Sequence, residues 1–305
     1  MALGSNHVTN TTAATFIPEL WSDEIIAAYK QNLVMANLVS KMSFKGKKGD
    51  TLHIPKPTRG TAAAKAASTQ VTLQAATETE IQVLVNKHYE YSRLIEDITE
   101  AQALASLRQF YTSDAGYALA KQVDTDLIQL GRGVAGGSGT AAYNKAVLGG
   151  NGSTLYVDGT NVGTALTDAG IRRVIQTLDD ADVPMDGRVM VIPPSARNTL
   201  MGLSRFTEQA FTGEVGGSNT IRNGQIGDVY GVKVYVTTNA DTATTNTTRV
   251  GLMFHKDAFV LAEQMGVRSQ TQYKQEYLGT LFTSDMLYGV KELRDEAAVA
   301  IALPA

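Results

Sequence analysis

The pattern of apolar and polar positions along the chain changes period more than once, and each change predicts a different kind of element. From Ile81 to Asn86 it alternates, with Ile81, Val83 and Val85 on one face and Gln82, Leu84 and Asn86 on the other, the mark of a half-buried strand. An outgoing arm precedes it from Phe44 to Pro57, and its prolines at 55 and 57 cannot donate to a ladder, which puts them on an edge or in a projecting ribbon. Between the arms, Thr61 to Gln70 holds no large apolar side chain to anchor it on its own subunit, so it should stay mobile until something binds it. Ser43 to Glu96 therefore make one excursion of more than fifty residues. A compact domain has no use for so long an excursion, and it predicts an element that reaches a neighbouring molecule.

After Glu96 the spacing becomes helical. Asp97-Ile98-Thr99-Glu100 has capping-box spacing with Asp in the place of the usual Ser or Thr. Leu104, Leu107, Tyr111, Ala115, Leu119, Val123, Leu127 and Leu130 then recur every three or four positions, with Gly116 as the one weak point. At 1.5 Å per residue this is a rod of about 50 Å. Its spacing is mostly four and drifts off a strict heptad, which favours packing on the chain's own sheet over a coiled coil. Gly131 is expected to end the rod and to open a glycine-rich stretch through Gly139. A second helix is predicted from Thr167 to Ala181 with Ile171, Val174, Ile175 and Leu178 inward, then a strand at Arg188–Ile192 and a helix after Pro193-Pro194-Ser195. Strands follow at 229–237, 249–254 and 259–263, with a last apolar segment at 297–303. At the other end, residues 1–15 are small and polar, and an amphipathic segment from Phe16 to Ile26 carries the only tryptophan, Trp21; Ser22 can cap a short helix there, with Asp23 and Glu24 in its first turn.

Composition narrows the function. The 305 residues are 43% hydrophobic and 19% charged, ordinary for a globular chain. A net charge of -3 argues against a dedicated nucleic-acid or membrane binder, since counterion release needs a clustered cationic surface. The positive charge is local: five Lys or Arg stand against one acid between Lys45 and Gly60. With no cysteine, disulfides, thiolate catalysis and thiolate metal sites are excluded. No signal-peptide pattern opens the chain and no apolar run reaches membrane-spanning length, so it is expected in the cytosol where it is made.

Candidate chemistry is sparse. Gly131, Gly133 and Gly136 satisfy the dinucleotide fingerprint literally, but that motif needs a strand before it and a helix after it, and here a helix comes first. The four histidines, His7, His53, His88 and His255, show no ligand-pair spacing. Asp179, Asp180, Asp182 and Asp186 lack the calcium-loop order and read as a solvated helix end. Ser195 lacks the glycine-flanked nucleophile elbow and reads as a helix cap. The expectation is no catalytic residue, no metal and no cofactor.

Three stretches, taken in order, carry a resemblance: Phe16-Ile17-Pro18-Glu19-Leu20-Trp21-Ser22-Asp23-Glu24-Ile25, Val183 to Pro193, and Asn223 to Asn239 with a turn at Gly224-Gln225-Ile226-Gly227 and the strand that follows. With the arm, long hairpin, long helix and α/β segment they resemble the major capsid protein family of tailed bacteriophages, the HK97-like fold, over nearly the whole chain. The resemblance implies an α+β fold. Its parts are an N-terminal arm and short helix over 1–42, an extended hairpin (the E-loop) over 43–95, a peripheral domain with the spine helix over 96–165 and 246–305, and an axial α/β domain over 166–245.

The same resemblance implies a structural shell subunit, not an enzyme, that closes into an icosahedral head around double-stranded DNA. The hairpin would lie across the adjacent subunit, with Lys47, Lys48, Lys56, Arg59 and Lys65 as contacts to acids there, and the arm with Phe16 and Trp21 would clasp a neighbour. Implied partners are copies of itself as hexamers and pentamers, a portal protein, a decoration protein, packaged DNA by non-specific proximity, and no membrane. The segment before Phe16 is too short for the large scaffolding extension of some relatives, which implies a separate scaffolding protein. A Lys–Asn cross-link is not expected. The implied location is the virion, after assembly in the host bacterial cytoplasm. An encapsulin-like compartment shares the fold and differs in its contents; a nucleotide-binding enzyme using the glycine stretch is the alternative of another class, and a tail or decoration protein conflicts with the long helix.

Overall fold

The computed structural model describes residues 34–43, 45–46, 48–57, 60–71, 73, 78–102, 107–134, 143–203, 228–243 and 247–305. The fold is mixed α+β, with two main sheets and a separate two-stranded ribbon. A short helix α1 (Met35–Leu38) leads into β1 (Ser40–Ser43). The ribbon is β2 (Thr51–Pro57) against β3 (Glu78–Leu84), and β4 (Lys87–Glu96) follows. Helices α2 (Asp97–Gln102) and α3 (Leu107–Gln129) occupy the span of the predicted rod.

The stripe on α3 behaves as its spacing predicts: Ala115, Leu119, Val123 and Leu127 are buried, and Leu130 packs against the same core. Gly116 faces open space. The long helix stops at Gln129, where the expected end at Gly131 put it, but a loop does not follow directly. Leu130 is a turn residue and Gly131 opens a further helical turn, α4 (Gly131–Val134). The reason is packing: a Cβ at Gly131 would lie 2.5 Å from Leu252 Cδ2, and one at Gly133 would lie 2.1 Å from Glu292 Oε1. These two glycines let the helical backbone approach its neighbours, a role unrelated to cradling a phosphate.

The six-stranded sheet runs β5-β12-β9-β6-β8-β7, from β5 (Val147–Leu148), β6 (Arg188–Ile192), β7 (Asp228–Val229), β8 (Val232–Val236), β9 (Thr248–His255) and β12 (Ala298–Pro304). Its central strands are buried on both faces, so they read as continuous apolar runs without alternation. Ala298, Ala300, Ala302, Val250, Leu252, Phe254, Val189 and Val191 share a core with α3. Val299, Ile301, Leu303, Met253, Met190 and Ile192 face the other way, onto α5 (Asp168–Asp180) and α6 (Pro194–Met201). Thr167 caps α5, its hydroxyl accepting from the Gly170 N–H, as its position predicts. Ser195 is a correction. The cap position of α6 is Pro193 with Pro194 in the first turn, and Ser195 Oγ donates instead to the Pro304 carbonyl at 2.8 Å, tying α6 to β12.

The four-stranded sheet runs β1-β10-β11-β4, where β10 is Phe259–Lys274 and β11 is Gly279–Glu292. The strand expected at 259–263 is the first third of a hairpin of long strands whose outer half is polar and exposed on both faces, which leaves no alternation to detect. The return arm divides as well: β3 pairs with β2, whereas β4 leaves the ribbon and pairs with β11 from Tyr288↔Lys87 to Gly279↔Glu96. The segment 246–305, grouped by sequence with the long helix, supplies β9 and β12 to the six-stranded sheet and β10 and β11 to the four-stranded one.

Candidate intersubunit surface

The ribbon is buried at its base and exposed, among the described residues, toward its tip. In register, Thr51 faces Leu84 and Pro57 faces Glu78. Val83 and Val85 are buried with Val260 and Ala262 of β10, and Met42, Leu52, Ile54 and Leu287 pack around them. Gln82, Leu84 and Asn86 are exposed, so the alternation predicted for this arm holds residue by residue. One backbone bond and one side-chain bond close the base: the Val85 N–H donates to the Asp50 carbonyl at 2.8 Å, and Gln264 Nε2 donates to the Gly49 carbonyl at 3.0 Å. Lys45 Nζ lies 3.3 Å from Glu263. Gly289 makes the crossing possible, because a Cβ there would sit 2.2 Å from the Leu84 carbonyl oxygen.

Beyond Pro57 the described residues of the ribbon stand in solvent. Residues 60–71 and Leu73 are exposed, Leu73 at 92% and Val71 at 64%. A turn at Ser68, with φ 64°, is held by Thr69, whose N–H and hydroxyl both donate to the Ala66 carbonyl. Of the basic contacts expected from sequence, Lys48, Lys56 and Lys65 are exposed at the base, along the ribbon and at the tip, and none forms an ion pair among the described residues. Lys47, Arg59, Phe16 and Trp21 lie outside the described residues. Val71 and Leu73 were missed by sequence reading, although their alternation around Thr72 was the available signal.

Side-chain bonds stiffen the platform that carries the ribbon. Asp285 accepts two bonds from Arg268, at 3.0 and 2.7 Å, and stands 3.1 Å from His88 Nε2, joining β10, β11 and β4. Arg268 first and His88 second hold its carboxyl below the usual aspartate value. Asp126 on α3 accepts from the Tyr288 hydroxyl at 2.7 Å and pairs with Lys87 at 3.0 Å, clamping the helix to β11 and β4. On the ribbon, Glu80 pairs with His53 at 2.9 Å and accepts from Gln82, and these bonds lower its carboxyl, Gln82 contributing most. The arrangement suits holding shape: charge pairs span strands, and the buried carboxylates Asp126 and Asp285 are both partnered.

Among the described residues no group of three His, Asp or Glu side chains is placed to hold a metal ion, and no helix is long and apolar enough to cross a membrane. A family model described as phage capsid protein matches residues 14–303. No curated protein sequence matches the chain. Among solved structures, a chain of Mycobacterium phage Che8 superposes with a TM-score of 0.74 at 23% identity, covering 94% of this chain and 97% of that one. A chain from the capsid asymmetric unit of cyanophage Pam1 gives 0.74 at 14% identity, covering 99% of each. One from the capsid of cyanophage P-SCSP1u gives 0.73 at 18% identity, covering 99% of this chain and 96% of that one.

Proposed function

The chain belongs to the phage capsid protein family, and from that premise we propose how it builds a shell. It is the structural major capsid protein, and the family match over nearly its whole length carries that reading. The ribbon supports a mechanism. A hairpin anchored by Val83 and Val85 but exposed from Gly60 to Val71 gains nothing for its own subunit, so its ordering is repaid only by contact with another copy. Symmetry then repeats each modest contact, and a closed particle follows from many weak bonds.

In this proposal the ribbon lies across the adjacent subunit and Lys48, Lys56 and Lys65 meet carboxylates there, with Lys47 and Arg59 beside them. The N-terminal arm clasps a neighbour through Phe16 and Trp21. The subunit divides into a peripheral part around α3 and the four-stranded sheet, and an axial part around the six-stranded sheet. Copies join as hexamers and pentamers around a portal, guided by a separate scaffolding protein in the host cytoplasm, and a decoration protein adds to the outside. The chain does no chemistry. Its mild net charge of -3 suits a wall around double-stranded DNA, because a strongly cationic lumen would hold the genome against packing and release. The test is expression with and without the neighbouring genes, followed by electron microscopy and assay of the contents. Uniform closed shells that take up DNA support the proposal; shells filled with a cargo enzyme would replace it with a compartment, and a monomer that binds nucleotide would end it.

A further inference from the structure

A hollow of about 270 Å³ opens on the β5 side of the six-stranded sheet, where two-residue β5 stops and β12, still paired with β9, continues past it. Its floor is apolar, from Val134, Val147 and Ala298 to Ala300, with Leu155 at its mouth, and Lys145, Arg173 and Thr177 stand around it. The size is below the roughly 300–1,000 Å³ of small-molecule sites and suits one or two side chains. Lys145 and Arg173 are exposed, and among the described residues neither meets a carboxylate; Arg173 donates only to Gln176. An apolar socket flanked by two uncompensated cations calls for an apolar side chain flanked by acids.

The same chain presents one. Met185 is 73% exposed at the end of α5, and Asp180, Asp182 and Asp186 surround it in sequence, all exposed and none in an ion pair among the described residues. Asp179 differs, being paired with Arg188 at 2.7 Å. The loop is rigidly presented. The Val183 N–H donates to the Leu178 carbonyl and the Asp182 N–H to the Asp179 carbonyl, and Val183 packs in the same core as Leu178, a Schellman closure with Asp182 at the left-handed position, φ 56°. Glycine is the favoured residue at that position, and carboxylates at a helix C-terminus oppose its dipole. Asp182 therefore costs the monomer stability on two counts, and an external cation would offset the second, electrostatic one. Met185 does not fill its own chain's hollow, since it remains mostly in solvent.

We propose that the loop Asp182–Asp186 of one copy docks in the hollow of a second copy, with Met185 in the socket and the aspartates beside Lys145 and Arg173. The contact rests on the shell reading above and adds to the ribbon a second junction between subunits, sited on the axial sheet. Because the chain has no cysteine, single-cysteine variants test it cleanly. Leu155→Cys and Met185→Cys chains, both at exposed positions, are mixed, assembled and oxidised. The expected result is a mixed disulfide dimer in the assemblies and none between unassembled chains. Arg173→Glu with Lys145→Glu should lower assembly yield at least ten-fold, and adding Asp182→Lys with Asp186→Lys should restore it. Shells that form without the mixed disulfide, or that carry Leu155→Cys linked to a scaffolding chain instead, overturn the docking and leave the capsid function standing. Reversed charges that assemble as well as wild type also overturn it. A wild-type chain that makes no assembly overturns both.

Discussion

At the scale of single residues, a fully buried carboxylate and a half-buried one are both raised by desolvation and differ in what partners them. Asp124 on α3 is fully buried and accepts from the N–H groups of Val34 and Met35 at 3.1 and 2.8 Å and from Asn239 at 3.2 Å. It caps α1, whose first residue Met35 lies 89 positions earlier. Burial raises its carboxyl, and the Met35, Asn239 and Val34 bonds pull the other way. Asp124→Ala should destabilise the unassembled chain by about 2 kcal/mol in urea unfolding, because the two amides lose their acceptor. Glu292 is raised as well, to about 7, by burial first and then by Asp295, with no backbone amide among the described residues to accept from. A carboxyl raised in the fold favours its protonated form, so its contribution weakens the fold as pH rises from about 4.5 to about 7, then stays constant. Glu292→Gln should remove that loss, raising stability at pH 8 by roughly 1 kcal/mol after discounting for partial exposure and leaving it unchanged at pH 4. Neither role was legible in the sequence. Asp124 sits in the helix as an ordinary polar position, and its partners Val34, Met35 and Asn239 are distant in sequence on either side; Glu292 is desolvated by α4, whose approach depends on Gly133.

At the scale of elements, what could be read was whatever kept one face wet. The alternation from Ile81 to Asn86 and the stripe from Ala115 to Leu130 each had a solvent side, and both elements lie where their patterns put them. The outer half of β10 has two wet faces and no pattern, so its sixteen-residue length stayed hidden. The ribbon's attachment was hidden too, because it depends on the absence of a side chain. Gly289→Ala would place a methyl 2.2 Å from the Leu84 carbonyl, a backbone atom that cannot swing aside. That overpacking should cost about 1–3 kcal/mol and show as faster hydrogen exchange at Val83 and Val85, while exchange in α5, on the other sheet, stays unchanged. Equal acceleration in α5 would mean that the ribbon base is not a local unit.

At the scale of the whole molecule, the surface is organised for company more than for catalysis. The ribbon carries exposed Lys48, Lys56 and Lys65 toward an exposed Val71 and Leu73, while its own platform is already paired through Asp285, Asp126 and Glu263. Reversing the three lysines together should leave the melting temperature of the unassembled chain within a degree or two, since exposed charges contribute little to folding, and should abolish or greatly reduce assembly. The sequence made the shell role legible through the order of its parts and left the contacts illegible, because a contact between copies leaves no period in one chain. The most direct test of the account is the mass distribution of the purified protein by analytical ultracentrifugation, alone and with a co-expressed scaffolding protein, checked by negative-stain microscopy of the fastest species. A discrete population of closed shells of uniform diameter is the predicted result; a single monomer peak under every condition would contradict it.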